Sequence, residues 1–62
     1  MNNIKILIKE LKDEKIYAEA AVQQFKDVND EYHGFYKGKV EAYILLIQKL
    51  DLLLNSENEK QR

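Results

Sequence analysis

Residues 42–54 read AYILLIQKLDLLL, and ten of the thirteen are apolar, interrupted only by Gln48, Lys49 and Asp51. A helix with so little polar surface has to bury more than one side. One set of its apolar residues keeps a heptad spacing through Val40, Ile47 and Leu54 and through Tyr36, Tyr43 and Leu50, with Ile44, Leu46 and Leu53 beside it. That set is enough for a seam with one neighbouring helix. A second line runs down the opposite side through Gly34, Gly38, Ala42, Leu45 and Leu52, with Phe35 adjacent. The polar residues are left a narrow strip, Lys37, Glu41, Gln48, Asp51 and Asn55, the pattern of a helix near the middle of a bundle.

Upstream, Asn2 or Asn3 can cap a first helix. With position a at residue 4, its stripe reads Ile4, Leu11, Ala18, Phe25 and Tyr32 at a, Leu7, Glu14, Ala21 and Val28 at d, and Ile8 and Val22 at e. Only Glu14 breaks this seam. Ile6, Ile16 and Tyr17 fall off the stripe and are expected in solvent unless something else covers them. Asn29–Asp30 is the expected turn, because both residues tolerate link geometry and either can cap the next helix, with Glu31 favourable at its positive end. His33–Gly34 is the competing position, Gly34 then acting as a left-handed terminator. The reading is therefore helix 1 over about 3–28, a turn at 29–30, helix 2 over about 31–55, and a frayed polar tail over 56–62.

Composition narrows the class. Sixty-two residues make one domain at most, with little margin for a private core. Cysteine is absent and histidine occurs once, so neither a disulfide nor a structural zinc site can staple so short a chain. Association is the remaining common route to stability. The expected fold class is all-α, an antiparallel two-helix hairpin that dimerises into a four-helix bundle. The expected interface is Gly34, Phe35, Gly38, Ala42, Leu45, Leu46, Leu52 and Leu53. Neither the start MNNIKILIKE nor the run at 42–54 has the length of a signal or a membrane span, so a cytoplasmic protein without membrane contact is expected.

Groups that could carry chemistry are few. His33 stands near Asp27, Asp30 and Glu31, but no second His, Cys or Glu-x-x-His pair accompanies it, and the carboxylates suit a helix start; no metal, cofactor or catalytic residue is expected. Tyr32, Tyr36 and Tyr43 occupy seam positions and read as core with the hydroxyl at the rim. Gly34 and Gly38 each cost roughly 1 kcal/mol relative to Ala in a helix, and with Ala42 they form a small-residue face that a neighbouring backbone could approach. Lys5, Lys9 and Lys12 could track phosphates, yet Glu10, Asp13 and Glu14 are interleaved with them and the net charge is −1. With Ser56 the only hydroxyl besides tyrosine, no activated nucleophile can be assembled and an enzyme is not expected.

The segment Tyr36-Lys37-Gly38-Lys39-Val40-Glu41-Ala42-Tyr43 resembles the start of the second helix in short helical-hairpin proteins encoded by phages and mobile elements of low-GC bacteria. That resemblance implies a small regulatory or host-interaction protein rather than a fixed activity; the expected function is a protein–protein interaction module, a regulator or inhibitor that binds a larger host or phage protein through a helical face. In length and layout the chain also resembles the Rop family of plasmid copy-control proteins, dimeric four-helix bundles that bind RNA. No Rop RNA-contacting motif stands here, so nucleic-acid binding through Lys5, Lys9 and Lys12 is the alternative function rather than the first.

Overall fold

The structure, a computed structural model, describes residues 3–60, with side chains through Ser56. Two helices account for nearly all of it: α1, Asn3–Phe25, and α2, Asp30–Lys60, packed side by side as an antiparallel hairpin. The expected all-α hairpin is what forms.

The turn is built differently from a two-residue Asn29–Asp30 link. Helix α1 stops at Phe25, three residues early, and residues 26–28 are spent on reversing the chain. The Phe25 carbonyl accepts the N–H groups of both Val28 and Asn29, each at 3.0 Å. Asp27 takes the left-handed backbone region at φ 62°, where Asp is tolerated better than most residues because its short side chain bonds locally. Asn29 is the N-cap of α2: its Oδ1 accepts the Tyr32 N–H at 3.0 Å while its carbonyl accepts the His33 N–H at 2.9 Å. A cap residue cannot itself be helical, which is why the reversal has to be completed before position 29. His33 and Gly34 both lie inside α2, and neither glycine has a positive φ, so the competing turn is not used.

Two further assignments need correction. Val28 and Tyr32 do not extend the α1 stripe, because the chain has already turned: Val28 is 77% exposed and Tyr32 belongs to the first turn of α2. The tail 56–62 is helical as far as Lys60, since Glu57, Glu59 and Lys60 are good helix formers and nothing in NSENEKQ stops a helix. Gln61 and Arg62, and the Asn2 cap, lie outside the described residues.

The seam on α2 is the heptad expected from the sequence: Tyr36, Val40, Tyr43, Ile47, Leu50 and Leu54 are buried or half-buried, and half-buried His33 extends the line by one turn. On α1 the seam is rotated. It runs through Ile4, Ile8, Leu11, Lys15, Ala18, Val22 and Phe25, so positions a and e face the partner helix; of the expected d line Ala21 is half-buried, while Leu7 and Glu14 are exposed. The reason is the residue at the middle of each line. A d seam buries the Glu14 carboxylate, whereas the e seam lays the aliphatic stem of Lys15 along the core and lets its ammonium reach Glu19 at 3.7 Å.

Near the turn an aromatic cluster fastens the helices. Phe25 meets Tyr32 edge-on at 5.2 Å and stacks on Tyr36 at 5.8 Å, and Phe35 meets Tyr36 edge-on at 5.2 Å. The Lys39 ammonium sits 5.2 Å from the Phe35 ring centre, a cation–π contact. Beyond this cluster the core is thin. Among the described residues only Ile8, Ala18 and Ile47 are buried, because two helices lying in a slab of 51 × 17 × 11 Å can enclose little.

Candidate functional site

Every residue of the expected interface is exposed in the hairpin. Leu45 is 57% exposed, Leu52 70% and Phe35 57%, with Leu46 and Leu53 near half. Their arrangement follows from the helix itself. Phe35, Ala42 and Lys49 recur at seven-residue spacing, as do Gly38, Leu45 and Leu52, and the two lines interleave three and four residues apart. That is a second a/d stripe on α2, turned to the side away from α1. Leu46 and Leu53 flank it. The remaining strip, Lys37, Glu41, Gln48, Asp51 and Asn55, is exposed and polar.

Around the glycines the hairpin leaves open space: a Cβ built on Gly34 or Gly38 meets nothing within 4 Å. No close approach inside this chain requires either residue.

On one edge of the hairpin, Glu14, Tyr17, Ala18, Ala21, Tyr36, Lys39 and Tyr43 line an open groove. Tyr43 and Glu14 line the same groove, so the acid displaced from the core keeps a polar neighbour. Desolvation at the seam, then hydrogen bonding to Glu14 and the Glu14 charge, push the Tyr43 phenol above its ordinary value of 10.0. The arrangement is structural: a phenol held neutral at this height is no acid or base near neutral pH. On the other edge, Lys12, Lys15, Ile16, Ile44, Ile47 and Gln48 line a shallow apolar groove, and Ile16 and Tyr17 stand largely in solvent as expected.

Lys5, Lys9 and Lys12 lie on exposed positions of α1, interspersed with exposed Glu10 and Asp13. His33 is half-buried at the start of the α2 seam. Among the described residues no three His, Cys, Asp or Glu side chains converge on a point that could hold a metal ion. None of the helices there is long and apolar enough to cross a membrane. Sequence reasoning missed the aromatic clasp of Phe25, Tyr32, Tyr36 and Phe35, although aromatics on both sides of a turn were a legible sign of it.

Fold and surface together define a class: an all-α helical hairpin whose second helix presents a heptad stripe to each of two sides. No family model, curated protein or solved structure matches the chain.

Proposed function

We propose that this protein is a small protein–protein interaction module, a regulator or inhibitor of the kind carried by phages and mobile elements, which docks through the outward face of α2. The observation that carries the reading is the exposure of Phe35, Leu45, Leu46, Leu52 and Leu53 on one helix that already has a seam of its own. Removing what remains accessible of each is worth ~1–2 kcal/mol. Several such side chains approach the entire net stability of a small domain. A contiguous apolar surface of this kind marks an interaction site far more often than it marks nothing. The work of the protein is then binding, in the cytoplasm, with no cofactor and no chemistry of its own.

The test is affinity capture with the tagged chain beside a Leu45→Glu/Leu52→Glu variant. Proteins retained by the first and lost by the second, with the Lys face unaltered in both, support docking through α2. Equal retention by both overturns it. Nucleic acid bound with an affinity that falls steeply with salt, and lost on replacing Lys5, Lys9 and Lys12, would put the alternative function in its place.

A further inference from the structure

We infer that the occupant of the outward α2 face is a second copy of this chain, paired antiparallel about a two-fold axis that passes between Tyr43 and Ile44. The inference rests on the reading above that the outward α2 face is a docking surface and assigns that surface to self-association, so that a captured protein meets the dimer and is lost with it in the Leu45→Glu/Leu52→Glu variant.

Area supports it first. The hairpin exposes 5166 Å², whereas a compact monomer of 7.4 kDa exposes ~4,200 Å². The excess, about 1,000 Å², is close to the roughly 800 Å² that each partner contributes to a standard interface.

Self-complementarity supplies the register. In antiparallel heptad pairing, position a of one helix faces position d of the other. With the axis between residues 43 and 44, Phe35 faces Leu52 of the second copy, Ala42 faces Leu45, and Lys49 faces Gly38. All six stripe residues are then used, and near the centre each large side chain meets a small one. The Lys49 stem crosses the open backbone at Gly38, where a Cβ would meet nothing within 4 Å, and its ammonium comes within one turn of the second copy's Glu41. This accounts for a glycine that the hairpin does not need. Sliding one heptad toward the turn leaves Gly38 against Ala42, a void, and strands Leu52 without a partner; sliding one heptad the other way sets Leu45 against Lys49 and strands Phe35 opposite position 59. Parallel pairing sets Lys49 on Lys49 and Gly38 on Gly38, a like-charge contact beside a gap. The antiparallel arrangement makes α2 and its copy the central pair, with α1 on each outer side and the polar strip still in water.

The chain has no cysteine, so two single variants report the register cleanly. The unsubstituted chain should sediment at twice 7.4 kDa. Under oxidation, a mixture of Phe35→Cys and Leu52→Cys should give the mixed disulfide, with little self-linked product from either variant alone. Leu45→Glu should raise the dimer dissociation constant on the order of a hundredfold or more, since it removes two buried leucines at once. Preferential self-linking of Phe35→Cys overturns the antiparallel pairing. A monomer that becomes protected at Leu45 only on binding a different protein overturns self-association while leaving the docking reading intact. A monomer fully folded alone, with Leu45 and Leu52 in water at all concentrations and no partner captured, removes both.

Discussion

Replacing Leu52 with Ala, beside Ile47 with Ala, asks whether α2 has one buried side or two. Ile47 is 9% exposed at the centre of the hairpin seam, so Ile47→Ala should cost ~2–5 kcal/mol wherever the hairpin exists. Leu52 is 70% exposed, and in a hairpin alone in water its truncation removes under a third of a leucine's burial, less than ~1 kcal/mol. Covered by a second chain, Leu52 becomes a core residue, and Leu52→Ala should cost about 2 kcal/mol or more per chain. Urea unfolding followed by far-UV circular dichroism, at a low and a high protein concentration, separates the cases. The expected result is a large penalty for both variants, with a midpoint that rises with concentration, as mass action demands when folding and association are linked. A Leu52→Ala penalty below ~0.5 kcal/mol, with a midpoint indifferent to concentration, would refute the claim that another chain shelters this face.

Other expectations follow from the turn, the glycines and the Glu14–Tyr43 contact. Asn29→Ala removes the side chain that accepts the Tyr32 N–H and should lower stability by about 1 kcal/mol in the same unfolding assay. Gly34→Ala places its Cβ in open space at ordinary helical φ, so it should raise stability by roughly 0.5–1 kcal/mol, or about 4–8 °C in melting temperature per kcal/mol. For Tyr43 the folded phenol holds its proton more tightly than the unfolded one, so its contribution is complete below pH 10.0 and lost as pH rises from there through the folded value. Glu14→Gln removes the neighbouring charge, should bring Tyr43 ionisation down as followed by tyrosinate absorbance, and should flatten the alkaline loss relative to the parent chain.

The α2 seam was legible because its heptad line is free of charge: shifting Tyr36, Val40, Tyr43, Ile47, Leu50 and Leu54 by one residue puts Lys37, Glu41, Gln48, Asp51 and Asn55, or else Lys39 and Lys49, into the line. The α1 seam was ambiguous because its d and e lines each hold two apolar residues and one charged one over the same length, Leu7, Glu14 and Ala21 against Ile8, Lys15 and Val22. Composition does not distinguish them. The desolvation cost of a carboxylate against a lysine stem does, and that difference acts only once a second helix lies across the position. The outward stripe of α2 was readable as a pattern, since a second heptad on an already amphipathic helix shows in one dimension.

By itself the sequence determined two helices, their antiparallel order, a cap at Asn29 or Asp30 and the double stripe of α2, because helix propensity, heptad spacing and N-cap chemistry act over a few neighbouring residues. The tertiary structure decided which side of α1 meets α2, where the chain reverses through Asp27, and how Phe25, Tyr32, Tyr36 and Phe35 close the turn end. Those outcomes depend on contacts between side chains from the two helices, whose relative rotation no local preference specifies.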